Sequence, residues 1–275
     1  MSNSQSEKSR PAKTALLAVA LLLGAAQANE RHFTHTYETA VLPPGAKELE
    51  TWTTLRTGRE DYFSALDHRL EFEVGVTERL MTAFYLNWNN TTSGDSAGNL
   101  ATAFEWKGFS SEWKLKLMDP TADPVGLGLY AEISFSTSGM DLEPKILLDK
   151  HLGPWLCAAN LITEFEFEAE DDEMELEEIA PDLTLGVTRE FAKGFYAGLE
   201  LRNHNAIVKD ASENMEHEFS ALYLGPVVSY ATESWWMAFS LLPQLPALSK
   251  AEGGSILVLD DGEKINARLL FSFHI

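Results

Sequence analysis

The last thirteen residues of the chain, 263–275, place apolar side chains at every second position. One face of this segment carries Ile265 and Phe273, whereas the other carries Arg268 and Ser272. A period of two residues is the period of a β-strand. A strand at an open sheet edge would leave its backbone groups unpaired, so we expect this strand to close a barrel against the first strand.

Eleven further segments show amphipathic strand patterns, which are weaker in 47–57 and in 141–150. In 62–75, for example, Leu66 and Leu70 lie on the face opposite Asp67 and Arg69. The twelve predicted strands are 47–57, 62–75, 80–88, 110–118, 125–136, 141–150, 155–168, 179–189, 195–205, 217–230, 235–245 and 264–275. The pattern predicts an all-β fold, a single antiparallel barrel of twelve strands.

The connections between these strands alternate in length. Short turns at 76–79, 119–124, 151–154, 190–194 and 231–234 are interleaved with connections at 58–61, 89–109, 137–140, 169–178, 206–216 and 246–263, four of which are long. Bacterial outer-membrane barrels have short periplasmic turns, longer external loops and an even number of strands. The alternation therefore predicts that both ends of the barrel domain lie on the periplasmic side.

Strand length and aromatic placement favour a barrel that crosses a membrane with its apolar face outward. Crossing the hydrocarbon layer takes about 9 to 11 tilted residues, which most of the predicted strands supply. Trp88, Trp155, Trp235 and Phe273 lie near strand ends, where membrane barrels carry aromatic girdles. A soluble barrel would turn the same alternation inward, and periodicity alone does not separate the two.

The start of the chain has the pattern of an export signal. Lys8, Arg10 and Lys13 precede an apolar run at 14–26. This run is too short for a membrane-spanning helix, which needs about 20 residues. The triplet Ala26-Gln27-Ala28 fits a cleavage site. We expect a signal peptide at 1–28, an irregular periplasmic segment at 29–46 and the barrel at 47–275, in the outer membrane of a Gram-negative cell.

The composition is strongly acidic, with 42 Asp and Glu against 21 Lys and Arg and a formal net charge of −21. Nucleic-acid binding needs a basic surface, so we expect no nucleic-acid partner. The single cysteine, Cys157, allows neither an internal disulfide nor a cysteine-based metal site. We expect no cofactor and no bound metal.

Several short motifs are spread along the chain after the export signal. They are Tyr37-Glu-Thr, Leu42-Pro-Pro-Gly, Leu49-Glu-Thr-Trp, Arg56-Thr-Gly-Arg-Glu, Leu66-Asp-His-Arg-Leu-Glu-Phe, Thr82-Ala-Phe-Tyr-Leu-Asn-Trp, Leu117-Met-Asp-Pro, Ala122-Asp-Pro-Val-Gly-Leu, Leu148-Asp-Lys and Gly153-Pro-Trp. These motifs resemble a family of uncharacterised Gram-negative outer-membrane barrels and, more distantly, the presumed transporter barrels assigned to the meta-pathway of phenol degradation. The resemblance implies the barrel fold and assigns no role to any residue.

If the apolar faces meet lipid, the charged side chains of the opposite faces collect in the lumen. Twelve strands lie between about 8, whose lumen side chains can fill, and 16 to 18, which enclose an open aqueous channel. We expect a narrow channel or transporter through which small polar or cationic solutes diffuse passively past an acidic lumen. The expected lumen-lining residues are Asp67, Arg69, Glu71, Glu73, Glu112, Lys114, Lys116, Glu132, Asp182, Glu200, Arg202 and Arg268. The alternative is a closed structural or ligand-binding barrel that acts through its external loops.

Three further patterns carry weaker functional hypotheses. The segment 164–178 holds ten carboxylates and no basic residue, so its loop part, 169–178, is either a solvated acidic loop or a divalent-cation site. His32 and His35 could chelate a metal, although we expect them to be exposed. Ser64 and His68 share the lipid face and suggest a lipid-facing hydrolase, yet four residues along a strand separate them by about 13 Å.

The expected partners follow from the membrane interpretation. They are outer-membrane lipid, lipopolysaccharide and the barrel-assembly machinery, which would engage the C-terminal strand. That strand ends in Ile275, at a place where many outer-membrane barrels have an aromatic residue.

Overall fold

The computed structural model describes residues 30–95, 97–170, 173–210, 212–249, 255–260 and 262–275. The predicted signal peptide lies outside these residues. No helix in the described ranges is long and apolar enough to cross a membrane.

Twelve antiparallel strands form one closed barrel, which confirms the predicted fold. Each strand pairs with its neighbours in sequence, and β1 also pairs with β12, from Glu48 opposite His274 to Thr57 opposite Ile265. The strands are β1 (Lys47–Thr57), β2 (Phe63–Gly75), β3 (Leu80–Gly94), β4 (Leu100–Met118), β5 (Gly126–Phe135), β6 (Gly139–Leu152), β7 (Trp155–Glu170), β8 (Glu173–Ala192), β9 (Phe195–Lys209), β10 (Met215–Ala231), β11 (Trp235–Ser249) and β12 (Ile265–His274).

The apolar face of the barrel points outward and the polar face points into the lumen. Phe84 on the outer face is 53% exposed, whereas the neighbouring lumenal Glu71 is 2% exposed. Leu66, Leu129 and Leu161 are further exposed members of the outer face. A soluble barrel would show the opposite order, so the alternation has the sense expected of a barrel surrounded by lipid.

Several strands extend beyond the predicted bounds at the end of the barrel that carries the longer connections, here called the long-loop end. The connection predicted at 89–109 is mostly strand, because β3 continues to Gly94 and β4 begins at Leu100. Most of the connection predicted at 169–178 also belongs to β7 and β8. In the first residues of β4 the side chains of both faces are exposed, so backbone pairing continues although the alternation of burial has stopped.

The residues before β1 lie inside the barrel, which the sequence pattern did not predict. Residues 30–42, here called the lumenal segment, have no regular secondary structure, and most of their side chains are buried. They contact the lumenal faces of β6, β7, β9, β11 and β12, as described below. The other end of the barrel, where the connections are short, is called the short-turn end.

Candidate functional site

Glu200 on β9 anchors the lumenal segment. Its carboxylate accepts hydrogen bonds from the backbone N–H groups of Thr34 (3.1 Å), His35 (2.8 Å) and Thr36 (2.7 Å) and from the Thr34 hydroxyl (2.9 Å). Hydrogen bonds to an ionised acceptor are the strong kind, and Glu200 is completely buried. Three consecutive backbone donors are thereby fixed against one wall of the barrel.

Two more lumenal side chains, on the adjacent strands β6 and β7, also hold the segment. Asn160 on β7 accepts from the Tyr37 N–H at 2.6 Å and donates to the Tyr37 carbonyl at 2.9 Å. Asp149 on β6 accepts from the Thr39 N–H at 3.1 Å and from its hydroxyl at 2.8 Å. These contacts satisfy backbone groups that an irregular buried segment would otherwise leave without partners.

Glycines in the wall make room for the segment. A Cβ at Gly186 on β8 would lie 2.3 Å from Cε1 of Phe33, a residue that is itself completely buried. A Cβ at Gly126 on β5 would lie 2.8 Å from the Thr39 hydroxyl oxygen. Only glycine permits this close approach, so the wall and the segment are shaped to each other.

Cations and aromatic rings alternate in a layer across the lumen. The Arg31 guanidinium lies 4.0 Å from the ring centroid of Tyr37, and the Arg69 guanidinium lies 4.6 Å from that of Trp52 and 4.3 Å from that of Tyr85. Lys145 lies 4.0 Å from the Tyr37 ring. Such contacts favour buried cations whose desolvation would otherwise be costly, and several of these side chains line a cavity.

A cavity of about 590 Å³ lies above this layer and extends to the long-loop end. His35 and Tyr37 of the lumenal segment form part of its lining, and so do residues 136–139 of the β5–β6 connection. The lumenal segment therefore forms part of the boundary of this cavity.

The wall of the cavity carries unequal charge around its circumference. Most of its cations are in ion pairs: Arg56 with Asp67, Arg69 with Glu132, and Arg202 with Asp182. On β6 and β7, by contrast, no ion pair in the described part of the chain involves Asp141, Glu164 or Glu166. Asp141 on β6 lies directly opposite Glu166 on β7. This wall presents acceptor-rich, negatively charged surface to the cavity.

The predicted lumen-lining residues separate into three groups. Six line the cavity: Asp67, Arg69, Glu132, Asp182, Arg202 and Arg268. Glu71, Glu73, Glu112 and Lys114 are buried in the short-turn half, where Glu200 binds the lumenal segment. Lys116 lies at the end of β4, 3.8 Å from Asp119. Contact of these residues with a solute stays a prediction.

Sequence reasoning missed the lumenal role of β6. Asp141, Glu143 and Lys145 line the cavity, and Lys145 forms an ion pair with Glu143 at 2.9 Å. Pro144 weakened the strand pattern here, but the alternation of polar residues at 141, 143, 145 and 149 was the signal that could have found them.

The weaker hypotheses have different outcomes. The expectation that His32 and His35 are exposed is wrong, because the first contacts Glu38 and the second contacts Asn266 inside the lumen. His68 contacts the Thr53 hydroxyl at 3.1 Å and stacks on Trp88, so it is not positioned as a base for a nucleophilic serine. The hydrolase hypothesis receives no support from this geometry.

The predicted acidic loop is only partly a loop. Residues 171 and 172 lie outside the described residues, Glu170 ends β7, and the carboxylates from Glu173 to Glu178 lie on β8. The Lys209 ammonium contacts the carboxylates of Glu175 and Glu177. Cation binding by this segment stays a prediction.

Comparisons with solved structures find barrels of the same architecture. The COG4313 outer membrane channel from Pseudomonas putida F1 is 12% identical over 88% of this chain and all of its own length, with a TM-score of 0.64. The NanC porin is 12% identical over 82% of this chain and all of its own length, with a TM-score of 0.51. At this identity the likeness establishes the fold.

Comparisons of sequence find one family and no curated relative. No curated protein matches the chain. The resemblance to the barrels of the phenol meta-pathway is not tested by these comparisons and stays a prediction. The model of a family of unknown function, DUF6662, matches residues 25–145 and 156–274, and the chain belongs to this family.

Proposed function

We propose that this protein is an outer-membrane channel that admits small polar or cationic solutes from the cell exterior. The observation that carries the proposal is the polar cavity of about 590 Å³ that extends to the long-loop end. The apolar outer face and the short turns at the other end support an orientation with the cavity outward. The likeness to a solved outer-membrane channel supports the same class of function.

The charge of the cavity wall favours cations. Asp141, Glu164 and Glu166 line the cavity without ion pairs in the described chain, whereas most of the cavity cations are paired. A narrow polar passage with unpaired carboxylates attracts cations and repels anions. No covalent step is involved, because the solute exchanges part of its hydration for lumenal groups and diffuses.

Passage through the barrel requires the lumenal segment to move. In its described position the segment fills the lumen between β6, β7 and β9, where Asp149, Asn160 and Glu200 bind it. We therefore propose that the channel is closed in this arrangement and opens when residues 30–42 leave the lumen.

Conductance across planar bilayers tests the proposal. The full chain should give small or rare currents, and a chain lacking residues 30–41 should give frequent, larger, cation-selective currents. Asp141→Asn combined with Glu166→Gln should reduce the cation selectivity of the shortened channel, whereas Glu213→Gln, outside the cavity, should leave it unchanged. A shortened chain that folds and conducts nothing, or that prefers anions, would overturn the proposal.

A closed, solute-binding barrel is the second candidate, and the filled lumen favours it. In that case the cavity is a dead end that binds a small cationic ligand at the cell surface. The shortened chain separates the two candidates, since a binding barrel would stay silent in bilayers even after residues 30–41 are removed.

A further inference from the structure

Carboxylates crowd together in the short-turn half of the lumen, away from the cavity. The register of β1 and β2 places Glu50 opposite Glu71 and Glu48 opposite Glu73, all on the lumenal face. All four are at most 3% exposed. One carboxylate oxygen from each of Glu50, Glu71 and Glu73 lies within 4.8 Å of the other two.

Some of these oxygens have no hydrogen-bond partner. Both oxygens of Glu50 and Oε2 of Glu71 are buried without one, and the same is true of Oε1 of Glu112 two strands away. Glu50 is completely buried, and its carboxylate belongs to the crowded group. Buried carboxylate oxygens are almost always satisfied, so this arrangement indicates a ligand for them.

Arg31, the cation paired with Glu50, does not satisfy the two oxygens of that carboxylate. Arg31 of the lumenal segment comes closest to Glu50, with Nη1 3.8 Å from Oε1, which is too long for a hydrogen bond. The same guanidinium donates through Nη2 to the Thr34 carbonyl at 3.0 Å. Glu48 is a separate case, because it accepts from the Trp236 indole and the Ser272 hydroxyl. Several buried carboxylates so close together are very costly unless enough positive charge joins them.

We propose that Glu50, Glu71 and Glu73 bind a buried Ca²⁺ ion. An all-carboxylate ligand set favours hard cations over zinc or copper, which prefer nitrogen and sulfur. Ca²⁺ takes oxygen ligands at about 2.3 to 2.6 Å, so oxygens on opposite sides of the ion are up to about 5 Å apart, and the observed spread fits this limit. Mg²⁺ needs shorter, octahedral contacts and gives up its water reluctantly. The ion would tie β1 to β2 at the level of Arg31.

The cation content of the folded protein tests this site. The chain is folded in detergent without lipopolysaccharide, which itself binds divalent cations, then equilibrated with Ca²⁺ and freed of excess ion. Elemental analysis should find about one Ca²⁺ per chain. In the double variant Glu50→Gln/Glu71→Gln this ion should be lost, because two charged ligands become neutral amides.

A matched double variant separates this site from general acidity. Asp141→Asn/Glu166→Gln removes the same charge from the cavity wall and should keep the bound Ca²⁺. A calcium chelator should lower the temperature at which the wild-type barrel unfolds on gels but should leave the Glu50→Gln/Glu71→Gln barrel unchanged. These readouts do not depend on conductance, so they stand or fall separately from the proposed channel.

Three results would overturn the inference. Wild-type protein that retains no Ca²⁺ would mean that protons neutralise the cluster. Loss of the ion from the cavity-wall variant would place the binding elsewhere. Displacement of Ca²⁺ by an equal concentration of Mg²⁺ would refute the assignment of the ion.

Discussion

Replacing Gly186 with alanine should release the lumenal segment from the barrel. The new Cβ would lie 2.3 Å from Cε1 and 2.5 Å from Cδ1 of Phe33. The Phe33 ring cannot step aside easily, because it is completely buried and packs in a cluster with Leu156 and Val227. The clash is with the rigid ring of a buried residue, so either the ring leaves its site or the wall deforms.

The size of the effect follows from the burial of Phe33. Complete burial of a phenylalanine side chain stabilises by about 1.5 to 3 kcal/mol. If the alanine removes about 2 kcal/mol of this, the population of the released segment rises roughly 30-fold, since 1.4 kcal/mol is a factor of ten.

Proteolysis at Arg31 measures that population. Trypsin cleaves after arginine, and Arg31 is only 4% exposed, so cleavage there requires release of the segment. When opening is fast, the cleavage rate follows the open population. Cleavage after Arg31, followed by mass spectrometry, should accelerate roughly 30-fold in Gly186→Ala. Gly128→Ala is the matched control, because its Cβ would make only ordinary contacts of 3.4 to 3.5 Å with Thr39, Leu115 and Leu147, and its cleavage rate should be unchanged.

A double-mutant cycle of Phe33→Ala and Gly186→Ala tests whether the clash between these two residues releases the segment. Phe33→Ala removes the ring and should itself accelerate cleavage. In that background Gly186→Ala should have almost no further effect, because the added methyl enters the emptied space. Equal effects of Gly186→Ala in both backgrounds would show that the clash with Phe33 is not the cause.

Three further predictions concern other parts of the barrel. Glu200→Gln should accelerate the same cleavage at least about tenfold, because charge-assisted bonds worth about 1.5 to 3 kcal/mol each are lost; an unchanged rate would contradict the anchoring role of this carboxylate. Glu132→Gln leaves the cation of Arg69 buried without its partner and should lower the free energy of unfolding in urea by about 3 kcal/mol, and adding Arg69→Met should recover much of this loss. Hydrogen bonds from the Asn99 side chain and backbone hold the pKa of Asp95 below its usual 3.8, so the contact between Asp95 and Asn99 should be fully stabilising above that pH and be lost as pH falls through the lowered pKa. The protection factor of the Asn99 amide, which is its hydrogen-exchange rate relative to that of an unstructured chain at the same pH, should show this loss. Asp95→Asn should abolish the pH dependence of this protection factor.

The barrel itself was predictable because its outer and lumenal faces impose opposite demands on alternate residues. The segment 47–57 was predicted with the bounds of β1, although its pattern was only moderate. The prediction ended β3 at Trp88, whereas the strand continues to Gly94. Residues 89–94 are all polar or glycine, so the sequence shows no alternation there although backbone pairing with β4 persists.

The lumenal segment could not be found in the same way. Its burial depends on Glu200, Asn160 and Asp149, which are far away in sequence and come together only when the barrel closes. An irregular segment has no period to detect. Lumenal glycines inside strands, such as Gly186, were a usable signal, because a missing side chain in a wall indicates that something else fills the space.

The attachments of the lumenal segment also constrain the order of folding. Thr34 contacts Glu200 on β9 and Ser240 on β11, and His35 contacts Asn266 on β12. The first residues of the described chain therefore obtain their partners only after the last strands have joined the sheet. Loss of β11 or β12 would remove a partner of Thr34 or His35 and leave the barrel open. Protection of Arg31 from protease therefore reports completed closure of the barrel.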